Sequence, residues 1–449
     1  MKTRLLNLWE SVSTSFWFIP TLMVSAAIVL SLVMVNLDQR DVIQPEDVFG
    51  VLYQGGSEGS RYILSTIAGS MITIAGVVFS ITIVALTLAS SQYGPHLLRN
   101  FIKDKGNQVV LGTFIATFIY CLFTLRAVRD NDGVQFVPEL SVTVALGLAV
   151  VNVGVLIYFI HHVSVSLGAD TVIARVHGDL LAYLSKFFPE HDSEKETVSD
   201  ERPPGNVEGN TQVPDMHSYP CRFRLAAPCD GYVQAVDYGG IMEIATSEDL
   251  LVNCTTRPGK LVVTGGSLAE VYCRQLPTGD VRAALIRTHI IGSVRTPEQD
   301  AEFSFNQLVE IALRALSPGI NDPNTAMACI DWLGAALCFL CGRRLHASIV
   351  YDDDDVPRLI RHPHTFGGLL EMAFNQIRQN CRGNVSVTIR LLEALTQIAI
   401  HARTDEQKKC VMRQTTMVWQ GIAGLELNDN DLRDIRIRYD KALKHVAIH

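Results

Sequence analysis

The chain has 449 residues, 19% of them charged, with a mean hydropathy of +0.20 and a formal net charge of −8. That length admits more than one domain, the hydropathy is unlike that of an ordinary soluble enzyme, and the acidic balance gives no support to nucleic-acid binding. The average conceals two halves: apolar with short charged loops up to about residue 163, and of ordinary soluble composition beyond it.

A bilayer core takes roughly 20 apolar residues as helix. Four segments qualify, at about 16–37, 62–93, 109–125 and 140–160, and none carries Asp, Glu, Lys or Arg inside. The first follows a basic start, but its apolar run is too long for a signal-peptide core and no small-residue cleavage site follows. It reads as a retained span. Residues 1–163 are therefore expected to form a transmembrane domain.

The second segment is the most distinctive. From Tyr62 to Pro95 the chain runs 34 residues without a charge, enough for a helix of about 50 Å that spans and then projects. Thr66, Gly69, Thr73, Gly76, Ser80, Thr87 and Ser90 fall on the three-and-four spacing of one seam, interrupted only by Ile83. The pattern nominates this helix as the central one. Small residues at such spacing let helices approach closely in lipid. Hydroxyl rings also solvate ions, and Phe79 and Ile83 are then candidates for an apolar gate. The spacing fits both readings. Asn152 in the fourth span reads as an interhelical hydrogen bond, and His161-His162 as a solvated pair at the inner boundary.

Orientation follows from Lys and Arg near the span ends. Lys2, Arg4, Arg99, Lys103, Lys105 and Arg175 fall on one side; Arg40, Arg61, Arg126 and Arg129 fall on the other. The bias places both termini inside. Nine of the ten cysteines lie in the soluble half at irregular spacing, as in a reducing compartment.

A connecting helix is expected at 164–188 and a flexible linker, rich in Glu, Pro, Ser and Asn, at 189–219. Residues 220–296 read as a β-rich module, with strands expected at Cys221–Leu225, Gly231–Val236, Ile241–Ala245, Leu250–Cys254, Lys260–Val263 and Ala269–Cys273. Glycine turns between such short strands suggest a small β-barrel or sandwich. Ala227–Val233 and Pro258–Val271 resemble the two halves of a barrel–sandwich hybrid, without the carrier lysine between two methionines. Residues 297–449 read as a helical module with helices at Glu302–Leu316, Pro323–Cys341, Thr365–Asn380, Val385–Ala402, Thr404–Ala423 and Asp431–Val446. The fold class is thus a four-span α-helical membrane domain followed by a cytosolic α+β region.

Between the first two of those helices lies the elbow Ser317-Pro318-Gly319-Ile320-Asn321-Asp322-Pro323. Proline disfavours αR in the residue before it, so the helix ends ahead of Pro318. Gly319 is free to take a positive φ, Asp322 stands as N-cap, and Pro323 as first helical residue. Every residue has a local structural job; the alternative is a polar elbow at which Asn321 and Asp322 meet a cation or a neighbouring subunit.

The string from Arg314 through the elbow to Asn324-Thr325-Ala326 resembles the signature of a bacterial family of predicted membrane proteins of unknown function. Phe79–Leu86 and Ala89–Pro95 resemble that family's second span and its exit, with His96 where arginine is expected. The resemblance implies the four-span, β-rich and helical order over nearly the whole chain and a bacterial origin. It implies no activity.

Chemistry-bearing motifs are few. The chain has no P-loop, no dinucleotide glycine fingerprint and no nucleophile elbow. Cys338 and Cys341 lack the partners of a zinc site, and Asp352–Asp355 reads as a solvated loop without calcium-loop spacing. No enzyme, metal or cofactor is expected. Proton-coupled carriers place an ionisable group inside a span, so that class is disfavoured. The remaining reading is a homo-oligomeric inner-membrane channel for small ions, surrounded by lipid, with the second span lining the path. The alternative is a membrane-anchored sensor or scaffold.

Overall fold

Apolar runs that meet lipid fold as helices because no water is there to satisfy an open backbone. The computed structural model describes residues 17–40, 56–94, 104–131, 134–166, 168–190 and 216–446. Its contacts divide the chain into two units, Met1–Val172 and Ile173–His449. By length and composition, five described helices could cross a membrane: α1 (Phe18–Gln39), α2 (Ser57–Tyr93), α3 (Lys105–Ala127) and α4 (Glu139–Ser166) in the first unit, and Pro323–Cys341 in the second. A short hairpin of β1 (Arg129–Asn131) and β2 (Val134–Phe136) joins α3 to α4.

The third helix, and not the second, is the centre of the first unit: α3 packs against α1, α2 and α4 and is the most buried of the four. The reason is local. Gly112 lets α1 approach so closely that a Cβ there would lie 2.7 Å from Met23 Sδ and 3.2 Å from Pro20 Cα. Polar clamps then tie the neighbours to α3. Ser31 Oγ and Thr124 Oγ1 lie 3.1 Å apart, Tyr120 OH donates to Ser141 O at 3.0 Å, and Asn152 Nδ2 donates to Thr117 Oγ1 at 2.8 Å. The last is the interhelical bond expected of Asn152.

Helix α5 (Ala169–Phe187), which belongs to the second unit from Ile173 on, follows a break at Gly168, so the connecting segment is not one continuous helix with α4. The linker expected at 189–219 lies mostly outside the described residues. Strands β3 (Cys221–Ala226), β4 (Gly231–Val236), β5 (Leu250–Cys254), β6 (Leu261–Val262) and β7 (Ser267–Cys273) fall where alternation predicts them. Ile241–Ala245 does not: it lies in helix α6 (Tyr238–Ser247). Asp237 caps that helix by accepting from Gly240 N, and Ile241 and Ala245 are its buried face. The two apolar residues are four apart, which is a helical repeat as much as a strand's.

Helix α7 (Gly279–Arg287) and strand β8 (His289–Gly292) follow, then α8 (Ala301–Ala315), α9 (Pro323–Cys341), the hairpin β9 (Ile349–Tyr351) and β10 (Pro357–Ile360), and helices α10 (Phe366–Asn380), α11 (Val385–His401), α12 (Asp405–Ile422) and α13 (Asp429–Val446). The strands form two sheets, ordered β3-β7-β5-β10-β9 and β6-β4-β8. Neither closes into a barrel among the described residues. The two barrel–sandwich-like segments do meet, through β4 and β6, where Gly231 pairs with Val262 and Tyr232 with Leu261. β10 joins β5 in parallel, Leu359 opposite Val252, bringing in chain from more than a hundred residues away.

The β9–β10 turn gives Asp352 a structural role. Its Oδ1 accepts from Asp354 N at 3.0 Å and Val356 N at 2.9 Å, while Oδ2 accepts from Arg358 Nε at 2.7 Å. This side chain is 4% exposed, whereas Asp353, Asp354 and Asp355 are exposed, so the solvated acidic loop is confined to those three. The helices start where oxygen caps stand ready: Asp300, Asp322, Thr365, Asn384 and Thr404 each accept from a first-turn amide. α9 packs against α8 and α11, α11 also against α13, and α10 against α8 and α12.

Candidate functional site

α2 has two opposed faces. Leu64, Ile67, Ala68, Met71, Ala75 and Val78 are buried and form its contact with the rest of the first unit. Two positions along a helix turn about 200°, so Thr66, Thr73 and Ser80 stand opposite Leu64, Met71 and Val78. Thr66, Gly69, Thr73, Gly76, Ser80 and Thr87 are exposed, and Ser90 is half-buried. A Cβ at Gly69 or Gly76 would meet nothing within 4 Å. Among the described residues the seam therefore makes no close helix contact; it faces outward together with bulky side chains such as Ile72, Val77, Val84 and Leu88. The gate candidates Phe79 and Ile83 are also exposed.

The seam's threonine hydroxyls are already committed as donors. Thr66 Oγ1 donates to Tyr62 O at 2.7 Å, Thr73 Oγ1 to Gly69 O at 2.8 Å and Thr87 Oγ1 to Ile83 O at 2.9 Å. What each has left to offer is oxygen lone pairs.

At the elbow, Asp322 Oδ1 accepts from Asn324 N at 3.1 Å and Thr325 N at 3.2 Å, and Oδ2 accepts from Thr325 Oγ1 at 2.5 Å. The Thr325 hydroxyl, helped by those amides and opposed by partial burial, holds the Asp322 carboxyl below the usual carboxylate range. Asp322 N donates to Ala315 O at 2.7 Å, and Ser317 Oγ to Arg314 O at 2.6 Å. Pro323 opens α9 as expected. Asn321, at φ +49°, and not Gly319, takes the left-handed conformation, which asparagine tolerates best among residues with a side chain. The elbow's polar atoms are thus largely spent on the turn itself. Seam and elbow belong to different units.

Two carboxylate contacts in the first unit escape sequence reasoning. Asp38, at the end of α1, accepts from Leu140 N at 2.9 Å and Ser141 N at 3.0 Å, and so caps α4 from another helix. His162 is not simply solvated: its Nε2 lies 3.0 Å from Asp104 Oδ2, where Asp104 also caps α3. Neither pair is close in sequence, and no periodicity announces either.

A family model described as "Predicted membrane protein (DUF2254)" matches residues 13–397. The chain belongs to this family. Uncharacterized proteins of Mycobacterium bovis and Mycobacterium tuberculosis are 34% identical to this DUF2254 member over 380 residues, covering 82% of this chain and 69% of theirs. No solved structure matches it. The stretch matched by the DUF2254 model includes both the seam and the elbow.

Proposed function

We propose that this DUF2254 member is a bacterial inner-membrane channel assembled from several copies of the chain, with the α2 seam lining a path for small ions. The observation that carries this reading is the outward direction of the seam. α2 turns a row of glycines and hydroxyls outward between exposed bulky side chains such as Ile72, Val77 and Val84, while Leu64, Ile67 and Met71 are buried. The bulky flanks suit lipid or a neighbouring copy, and the row of hydroxyls suits a water path. One protomer brings one such helix, so an enclosed path takes a symmetric ring. Threonine oxygens that have given their protons to the helix offer lone pairs alone, which suits a small cation. Phe79 and Ile83 supply the apolar gate.

The spans are α1 to α4. α9 is apolar enough to qualify by composition, but it packs among α8 and α11 and carries Asp331 facing Arg390 at 3.6 Å, as suits a helix in a water-soluble bundle. The Lys and Arg bias puts both termini and the second unit in the cytosol, as vestibule or sensing domain. The reading includes no catalytic role, metal, cofactor or nucleic acid. A membrane-anchored scaffold, in which the seam joins copies without leaving a path, is the competing reading. The protomer count of the detergent-solubilised particle, with the side chains around its axis, tests the proposal. A ring with α2 innermost supports it, and a monomer contradicts it.

A further inference from the structure

In the second unit, a dense charge cluster gathers where three loops meet the start of α8. The β5–β6 loop brings Arg257 and Lys260, the segment after β8 brings Arg295 and Asp300, α8 brings Glu302, and the stretch between β10 and α10 brings His364. Asp300 is fully used. Its Oδ2 accepts from Arg295 Nε at 2.9 Å and from a terminal Arg295 nitrogen at 2.6 Å, and its Oδ1 accepts from Phe303 N at 3.1 Å.

Glu302 is held differently. Arg257 bonds its Oε1, but the other groups stand off: Lys260 Nζ at 3.7 Å, Arg295 Nη2 at 3.9 Å and His364 Nδ1 at 3.8 Å. Three cations face two carboxylates, which leaves one positive charge in excess. Burial, then Arg257 and Lys260, pull His364 down to about 4 against the opposing pull of Glu302, so the imidazole stays neutral and adds no further positive charge. Lys260 is 52% exposed, which opens the cluster to solvent. Along the same loops the hydroxyls of Thr256 and Thr296 are buried without a hydrogen-bond partner.

We propose that this cluster binds a phosphate-type oxyanion, with Lys260 and Arg295 as its main ligands and Glu302 as the internal carboxylate it displaces. A phosphate carries more charge and more acceptor oxygens than a carboxylate. It gives Lys260 the close partner that Glu302, at 3.7 Å, does not, and adds a further acceptor for Arg295, whose Nε and Nη2 already bond Asp300. The phosphate belongs either to a soluble ion or to a lipid headgroup, and the site's chemistry is common to both. This inference does not depend on the channel reading.

The test is thermal unfolding of the full-length protein. In detergent, inorganic phosphate is titrated against chloride at equal ionic strength; in phosphatidylcholine vesicles, phosphatidylglycerol is added or withheld. A saturable stabilisation is expected from one of the two phosphates and not from chloride. Lys260→Gln, at a half-exposed position, weakens it by about tenfold, the loss of one charged hydrogen bond. Glu302→Gln tightens it by removing the competing carboxylate. Response to free phosphate alone identifies a soluble ligand, and response to phosphatidylglycerol alone identifies a headgroup. A purely structural network predicts lower midpoints in both variants with no Lys260-dependent response to either phosphate, and that result overturns the proposal.

Discussion

Asp322 shows how much one carboxylate does at the residue scale. It holds two amides and a hydroxyl at the start of α9, which is an N-cap with an additional side-chain bond. Asp322→Ala is expected to cost about 0.5–2 kcal/mol, and Asp322→Asn or Asp322→Ser to be nearly neutral, in thermal or denaturant unfolding. Equal losses in all three, with the fold intact, would show that the charge itself is needed. The sign of the pH effect follows from the depressed carboxyl. The folded value lies below the ordinary 3.8, so the contribution is complete above that pH and is lost as pH falls through the folded value. Asp322→Asn removes this acid-side loss. The cap was legible in the sequence because Asp-Pro at a helix start has one mechanical reading. The left-handed residue was not, since glycine and asparagine both qualify and only the closing bond from Asp322 N to Ala315 O selects between them.

At the scale of elements, two kinds of glycine separate. Gly112 sits at a real helix–helix contact, and a side chain there meets Met23 Sδ and the Pro20 backbone. Gly112→Ala is therefore expected to destabilise the first unit by about 1–3 kcal/mol through overpacking. Gly69 and Gly76 face open space. Gly76→Leu should leave the protomer folded, by circular dichroism; a seam that packs between copies, as in the scaffold reading, then loses assembly in size-exclusion chromatography, whereas a pore-lining seam keeps it and loses flux. An unchanged assembly would remove the seam from the subunit interface. The seam's period was readable because helical spacing is local. Its direction was not, because which face of α2 packs depends on α3. Caps made the helices after residue 300 readable. The sheet is different: β10 pairs with β5 across more than a hundred residues, and no local pattern announces such a register.

For the whole molecule, the account requires one topology. A cysteine at Glu58, exposed in the first turn of α2 beside the buried Ser57, is expected to label from outside with an impermeant thiol reagent, and a reporter fused after Gly168 to report cytosol. A periplasmic reporter would overturn the compartment of the second unit along with the direction of the path. The four apolar runs were legible from composition, since a membrane leaves the backbone few alternatives. Their order around α3 was not, since it rests on contacts such as Gly112 with Pro20 and Asn152 with Thr117. Ion flux through vesicles reconstituted with single-cysteine variants tests the central claim most directly. Water-soluble thiol modification at Thr66→Cys, Thr73→Cys, Ser80→Cys and Thr87→Cys is predicted to change the flux, while the same reagent at Ile72→Cys and Leu86→Cys, off the seam, leaves it unaltered. Flux absent from the pure protein, with the whole seam protected from the reagent, would contradict the channel.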